Sequence, residues 1–337
     1  MDMFVPIYED FFDFQERSKT MYREIVEDIA LIEHHQNVLN TLKTFGFSKP
    51  LIDSVGGEAF TSSIHIGKHE LDGKDALSKK SVYVANLMGW IKEKLKVAFN
   101  KILEFIRWLL DKIAEWFHRP NPREKANVSR LTMINSFPAG MQVPNVFQYQ
   151  EFITRLSSLR NLITYINGWF TQLNGVYAGI QQNPQSAAAY IQQGFGSYQN
   201  AVTTFVKEIS HNHYRDGVVP TPNGCQVVVP TTSPDPVNPV EFGWNGGSQI
   251  RYAGSLITTI MSEISPVEES LSTLNKSIIV LGKNNPDPNV QGPIAELLNI
   301  TGYVLNTASS LCAGIRDYDA RFFSMTEWII QEIQKKK

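Results

Sequence analysis

The feature that most constrains the fold of this chain is a repeat of apolar residues in its second half. Apolar side chains recur there at alternating spacings of four and three residues, in series at positions 152–180, 191–209, 253–281 and 297–329. An average period of 3.5 residues is typical of long helices that pack with coiled-coil geometry. The sequence therefore predicts four long helices in this part of the chain.

Short breaks between the four series predict how these helices are connected. Asn183-Pro184 separates the first two series and residues 284–288 separate the last two, so each pair is expected to form a helical hairpin. Pro266 lies inside the third series and predicts a kink, because proline lacks the N–H that a helix interior uses. The hairpins are joined by a long loop, 216–247, that is rich in proline and glycine. In this loop Pro222-Asn223-Gly224 is a turn signal between two valine-rich runs, which suggests a small β-hairpin.

These patterns predict an all-α fold. Residues 128–337 are expected to form a long-helix antiparallel bundle with coiled-coil-like heptads, preceded by an acidic helix and a basic amphipathic helix. A chain of 337 residues can bury a sizeable core and hold two domains. The apolar pattern does not show whether the four heptad helices close within one chain or between several chains.

Charge is balanced over the whole chain but divided unevenly within the first third. The net charge is −2, yet residues 1–45 hold nine acidic and four basic side chains, whereas residues 79–119 hold nine basic and four acidic ones. We interpret residues 1–45 as an acidic N-terminal helix, helical from about residue 15, and as a candidate propeptide. Residues 46–81, with weak periodicity and many glycines and serines, are interpreted as a linker.

Residues 82–119 are predicted to form a basic, Trp-rich amphipathic helix that ends before Pro120-Asn121-Pro122. The residues of functional interest on this helix are aromatic or basic: Trp90, Lys92, Lys96, Arg107, Trp108, Lys112 and Trp116. One interpretation is a core helix with a charged outer face. The same side chains suit a membrane interface, a partner protein, or the phosphate backbone of packed DNA. The sequence does not choose between these surfaces.

The sequence contains no pattern that indicates catalysis or metal binding. A glycine-rich phosphate loop, a nucleophile elbow and a Cys-x-x-Cys pair are all missing from it. The neighbouring carboxylates Glu24, Glu27 and Asp28 are interpreted as the solvated face of a helix, and the adjacent His34 and His35 as surface residues. We therefore expect no enzymatic activity, no cofactor, no metal and no small-molecule substrate.

Two further observations concern the compartment. Cys225 and Cys312 are far apart in sequence and are interpreted as free thiols in a reducing compartment. No run of about 18 uncharged apolar residues is present, so an ordinary transmembrane span is not expected. Both observations favour synthesis and folding in a cytoplasm.

The layout of the first 120 residues resembles that of the internal head proteins of large tailed bacteriophages. It consists of an acidic helix, a linker, and a helix that contains Gly89-Trp90-Ile91-Lys92-Glu93-Lys94-Leu95. The resemblance implies an N-terminal propeptide that a phage protease removes after a glutamate preceded two positions earlier by a small residue. Gly56, Gly57, Glu58 and Ala59 fit that pattern and lie in the linker.

The resemblance implies a virion structural protein that is made in the host cytoplasm and lies inside the capsid. Its expected partners are further copies of itself and other virion proteins of the capsid shell or interior, with packaged DNA or a membrane contacted through residues 82–119. One alternative is a membrane-active helical protein similar to α-helical pore-forming toxins. Another is a cytoplasmic helical scaffold without a membrane or DNA role.

Overall fold

The computed structural model describes residues 8–45, 76–118, 122–137, 142–143, 149–212, 218–221, 224–227, 240–241, 243–283 and 290–335. In this part of the chain the fold is all-α, as predicted, and consists of a bundle of long helices. The helices are α1 (Tyr8–Phe45), α2 (Ala76–Phe117), α3 (Pro122–Thr132), α4 (Tyr149–Gln182), α5 (Ala187–Phe195), α6 (Tyr198–Asn212), α7 (Gly247–Ser262), α8 (Ser265–Lys283) and α9 (Gln291–Lys335). The short strands are β1 (Gln142–Val143), β2 (Val218–Thr221), β3 (Gly224–Val227) and β4 (Val240–Glu241).

The helix α9 lies at the centre of the bundle. It contacts α1, α2, α3, α4, α5, α6, α7 and strand β3. Every residue at positions 297–315 is buried, which is about five turns of helix covered on all sides. The predicted single apolar stripe of the fourth series therefore understates the burial of this helix.

The composition of α9 explains why it can be surrounded. Positions 297–315 hold no charged residue, and the charged Glu296 and Arg316 bracket them. The polar residues in this segment are small, and several satisfy themselves on the helix: Thr301 Oγ1 donates to Leu297 O at 2.7 Å and Thr307 Oγ1 to Tyr303 O at 3.1 Å. Buried hydroxyls that are hydrogen-bonded carry little penalty, so a helix of this composition can occupy a core.

The apolar series predicted from the sequence face the core. All the residues of the first and third series are buried along α4, α7 and α8. The third series is interrupted between Ser262 and Ser265, where a kink was predicted, and Pro266 becomes the second residue of α8. Proline is tolerated there because the first N–H groups of a helix have no partner within it.

The second series is interrupted where no break was predicted. Helix α5 ends at Phe195 and α6 begins at Tyr198, because Gly196 has φ of +73°, a left-handed conformation that favours glycine. A Cβ atom at Gly196 would also lie 2.9 Å from Asn200 Nδ2. The sequence signal was a glycine followed by serine inside an otherwise helical run.

The first third of the chain joins the same core as the heptad helices. Buried residues of α1 and α2 belong to one apolar cluster with those of α4 to α9. The bundle expected for residues 128–337 is thus part of a larger bundle that includes α1 and α2. Helix α3 is a further helix, which begins at Pro122 after the proline run. This helix approaches α7 closely at Gly247, where a Cβ atom would collide with the backbone of Leu131 and Thr132. The Gly247 N–H donates to the oxygen of Ile134, two residues after the end of α3, at 2.8 Å.

The loop between the hairpins contains paired strands. Strands β2 and β3 pair antiparallel with Val218 opposite Val227 and Thr221 opposite Gly224. Strands β1 and β4 form a second short antiparallel pair. Residues 228–239 of the loop lie outside the described residues, and so do positions 46–75 of the expected linker. The last six residues of that linker, 76–81, belong instead to α2, so the predicted boundary at residue 82 was six residues late.

Candidate functional site

The candidate site is the contact between α1 and α2, where the acidic and the basic segments meet. Helix α2 lies between α1, α8 and α9. Its buried face includes Ile91, Leu95, Ile102 and Leu109, as the predicted stripe requires. The side chains beside that stripe decide what α2 presents to α1 and to solvent.

Aromatic rings form one part of the interface. The ring of Phe14 on α1 stacks on Trp108, with centroids 4.4 Å apart and planes at 24°, and lies 4.5 Å from the ring of Trp116. The guanidinium of Arg17 lies 5.6 Å from the Trp108 centroid. Stacked rings and a cation over an indole each contribute about 0.5–1.5 kcal/mol beyond their buried area. One side chain of α1 therefore covers two of the three tryptophans.

The third tryptophan contacts a histidine. The ring of His35 lies 3.9 Å from that of Trp90, and His35 is buried. Its Nδ1 lies 2.5 Å from Leu31 O, so this nitrogen carries the proton, because a carbonyl oxygen only accepts. Burial lowers the pKa of His35 despite this hydrogen bond. The interpretation of His35 as a surface residue was wrong, whereas His34 is exposed.

Charged groups form the other part of the interface. Asp28 on α1 lies between two lysines of α2: Lys94 Nζ donates a hydrogen bond to Asp28 Oδ1 at 3.1 Å, and Lys101 Nζ forms an ion pair with Asp28 Oδ2 at 2.6 Å. The Asp28 side chain is only 7% exposed. Burial raises the pKa of Asp28, but the hydrogen bonds from Lys101 and Lys94 outweigh burial and lower it overall. The interpretation of Asp28 as part of a solvated face was therefore wrong.

The neighbouring carboxylates behave differently from Asp28. Glu24 lies at the edge, where Lys101 Nζ donates to its backbone oxygen at 3.2 Å. Glu27 is exposed and lies 3.9 Å from Arg23 on the same helix. An exposed pair of this kind contributes little to stability. Asp28 is thus the buried one of these three carboxylates, and we infer that it fixes the register of α1 on α2. Glu24 adds a longer pair with Lys101 at 3.8 Å.

The remaining predicted residues of α2 are dispersed. Lys92, Lys96 and Arg107 are exposed. Lys112 pairs with Glu115 of its own helix at 2.6 Å and lies 5.8 Å from the Trp116 centroid. The three tryptophans thus contact α1, whereas Lys92, Lys96 and Arg107 are exposed and Lys112 pairs within α2. The predicted processing residues Gly56, Gly57, Glu58 and Ala59 lie outside the described residues.

The sequence analysis did not identify Phe14, His35, Lys94 and Lys101 as interface residues. An acidic and a basic helix in one chain were visible, but which cation meets which carboxylate depends on tertiary packing. A usable signal was the apolar spacing of α1, in which Ile25, Asp28 and Ile32 lie on one face of the helix. A carboxylate on an apolar face indicates a buried partner.

The described residues contain no group of three His, Cys, Asp or Glu side chains placed to hold a metal ion. Within the same part of the chain, none of the helices combines the length and the apolar character that a membrane crossing needs. What the described contacts of this interface do is hold one helix of the chain against another. Comparison of the chain with models of protein families, with curated proteins and with solved structures gives no match.

Proposed function

We propose that this chain is a structural protein of a bacteriophage particle, packaged inside the head or ejected with the genome, and that it acts by helical packing and self-association. The observation that carries the proposal is the cover that α1 forms over α2. The acidic helix contacts all three tryptophans through His35 and Phe14 and neutralises two lysines through Asp28. A removable propeptide that masks a basic aromatic helix requires this kind of complementarity.

The position of the candidate cleavage sequence supports the proposal. Gly56-Gly57-Glu58-Ala59 follows the end of α1 at Phe45 and precedes the start of α2 at Ala76. A cut after Glu58 therefore leaves α1 on one fragment and α2 on the other. Before the cut, the tether keeps α1 at a high effective concentration, and after the cut this advantage is lost.

Cleavage alone does not release α1 at once. Its buried apolar side chains are Phe14, Tyr22, Ile25, Ile29, Ile32, Val38, Leu39 and Leu42. Burial of each large apolar side chain contributes about 1.5–3 kcal/mol. The cut helix is therefore expected to remain docked until dilution or a competing partner displaces it, so that processing and unmasking are separate steps.

Displacement of α1 would uncover a surface that is both apolar and basic. On α2 this surface includes Trp90, Trp108 and Trp116 together with Lys94 and Lys101. On α9 it includes the region of Tyr303, whose ring lies 6.3 Å from that of Tyr22. We propose that a second copy of the chain or another virion protein covers this surface in the mature particle.

Mass spectrometry of the chain from purified mature particles tests the proposal. The expected N-terminus is Ala59, and replacement of Glu58 by Gln is expected to block its appearance. Replacement of Glu70 by Gln, a second glutamate of the same linker, is the control and should leave processing unchanged. Particles in which the chain begins at Met1 would contradict the proposal, and so would particles that lack the chain.

A membrane-active protein is the second candidate, and the three tryptophans beneath α1 favour it. Indole rings suit the headgroup region of a membrane, and each nearby basic residue contributes about 1 kcal/mol of attraction to anionic lipid. Leakage of anionic vesicles by the chain cut after residue 58, but not by the intact chain, would support this candidate. If the chain causes no leakage and is not incorporated into particles, the result would favour a cytoplasmic scaffold.

A further inference from the structure

The lysines of α2 fall into two groups according to the helix that they face. Lys94 and Lys101 face α1 and pair with Asp28. Lys92 and Lys96 instead line a cavity of about 400 Å³ between α2 and α8, near the start of α9. The volume lies within the range of about 300–1,000 Å³ that small-ligand sites occupy.

The rim of this cavity carries three cations. Lys283, the last residue of α8, joins Lys92 and Lys96 in its lining, and all three are exposed. Within the described part of the chain, none of the three forms an ion pair with a carboxylate. Lys92 and Lys96 are four residues apart on one helix, a spacing at which like charges repel. A bound anion would relieve this repulsion.

The other lining residues limit what kind of anion fits. Glu93 supplies one negative charge, so the described lining residues keep a positive excess. Leu95 and Phe99 provide an apolar floor and are almost fully buried. Gln291, the first residue of α9, also lines the cavity, and the positive end of that helix dipole adds to the field of the lysines. The cavity thus offers cations at its mouth and apolar surface at its base.

We propose that this cavity binds the phosphate group of a nucleotide, either free or at an accessible position in nucleic acid. The three lysines would pair with phosphate oxygens, a role that suits their compact ammonium charge. The less polar part of the nucleotide would lie toward Leu95 and Phe99. Phosphate binding here requires neither cleavage after Glu58 nor a place in a particle, so this inference and the proposed function can fail independently.

Gly282 provides a way to close the cavity without changing its charge. It lines the cavity, and a Cβ atom placed on it would lie 3.6 Å from the Phe99 ring, an ordinary contact distance. Gly282→Ala therefore adds a small group that the site tolerates. Gly282→Met adds a longer side chain that occupies the cavity.

The test uses the intact chain and two probes, a fluorescently labelled single-stranded 12-mer of DNA and a nucleoside 5′-monophosphate. The charge variant is Lys92→Gln/Lys96→Gln/Lys283→Gln. The control Lys125→Gln/Lys207→Gln/Lys276→Gln removes the same charge from exposed lysines elsewhere. Circular dichroism and thermal unfolding verify that every variant is folded.

The wild type and the control are expected to bind at least one probe, whereas the charge variant loses about tenfold or more in affinity. For the 12-mer, the slope of log K against log salt should become shallower by roughly two, since each single-strand phosphate contact contributes about 0.7. Gly282→Met should weaken binding and Gly282→Ala should not. Binding of the monophosphate but not the 12-mer identifies a free nucleotide as the ligand, and binding of the 12-mer, with or without the monophosphate, identifies nucleic acid.

Three results would overturn the inference. The wild type could bind neither probe, or the charge variant could bind as tightly as its control. Gly282→Met could also retain full affinity, which would place the anion on the exposed lysines and not in the cavity.

Discussion

Two regions of the molecule hold helices together by different means. At the α1–α2 interface the contacts are charged and aromatic, with Asp28 between two lysines and Phe14 on Trp108. Between α4 and α9 the hydroxyls of Tyr177 and Thr301 lie 3.1 Å apart, the rings of Phe152 and Phe322 are stacked with centroids 6.0 Å apart, and Arg155 hydrogen-bonds the hydroxyl of Tyr318. We therefore expect the first region to respond to salt and pH more strongly than the second.

This difference in contacts indicates which helix can dissociate from the bundle and which cannot. Ion pairs near the surface are screened by salt and weakened by protonation. Neutral hydrogen bonds inside a packed core are lost only when the core opens. We therefore propose that α1 is a separable cover and α9 the axis of the permanent body. The neutral contacts of α1 with α9, such as the hydrogen bond from Ser18 to Asn306, hold the cover until it is displaced.

The largest expected effect comes from truncation inside the permanent body. Phe322 is fully buried on α9, and Phe322→Ala should lower the free energy of unfolding by about 3–5 kcal/mol, because it removes apolar contact and leaves a cavity. Denaturant unfolding measures this loss. The matched change Phe323→Ala, on a half-buried neighbour, should cost clearly less. Equal losses would show that α9 is not enclosed as described.

A smaller effect is expected when the charge of the cover is removed. Asp28→Asn should weaken the docking of α1 by about 1.5–3 kcal/mol, because Lys94 loses its charged partner on α1 and Lys101 keeps only Glu24, 3.8 Å away. Hydrogen exchange of α1 amides measures the docking free energy. Glu27→Gln, which alters an exposed pair, is the control and should change that free energy by less than about 0.5 kcal/mol. If both changes had the same effect, Asp28 would not fix the register of α1.

Alkaline pH is expected to loosen the contact between α3 and α9. Burial, together with the charge and hydrogen bond of Asp319, raises the pKa of Glu124 to about 8, against the opposing charge of Arg316. The stability that depends on protonated Glu124 is complete below its ordinary pKa and is lost as pH rises through about 8. The melting temperature should therefore fall by several degrees between pH 6 and 9.

Glu124→Gln tests this assignment because the amide mimics the protonated acid. The variant should lose most of the decline between pH 6 and 9, whereas Glu104→Gln, on the exposed face of α2, should keep it. An unchanged decline in Glu124→Gln would assign the pH dependence to another group.

The smallest expected effect is the response of α1 to acid. Because burial lowers the pKa of His35, its contribution is complete above the ordinary histidine pKa and is lost as pH falls through the lowered value. Hydrogen exchange of α1 should therefore accelerate between pH 7 and 5 after correction for intrinsic rates. His35→Asn should remove this acceleration and His34→Asn, at the exposed neighbour, should not. Acid would thus loosen the cover while the Glu124 contact stays intact.

The sequence predicted the parts of the fold that depend on local periodicity. The spacing of Phe152, Leu156 and Leu159 identified α4, and Pro266 identified the interruption between α7 and α8, because both signals act along one helix. The break at Gly196 was missed, since a glycine within a helical run ends it only where a left-handed conformation is needed.

The candidate site was less predictable because it depends on contacts between distant segments. The charge difference between residues 1–45 and 82–119 was visible, but the pairing of Asp28 with Lys101, 73 positions later in the chain, is a product of packing. The enclosure of α9 had a usable signal, the uncharged run between Glu296 and Arg316. The apolar spacing alone predicts one stripe on α9, because serine, threonine and asparagine interrupt the uncharged run.

Native-state hydrogen exchange of the intact chain tests the central claim, that α1 is a separable cover on a body organised around α9. The account predicts that amides of α1 exchange through an opening of lower free energy than amides at the uncharged positions 297–315 of α9. Added salt should lower the opening free energy of α1 and leave that of α9 unchanged. A single opening free energy for both helices, with the same response to salt, would contradict the account.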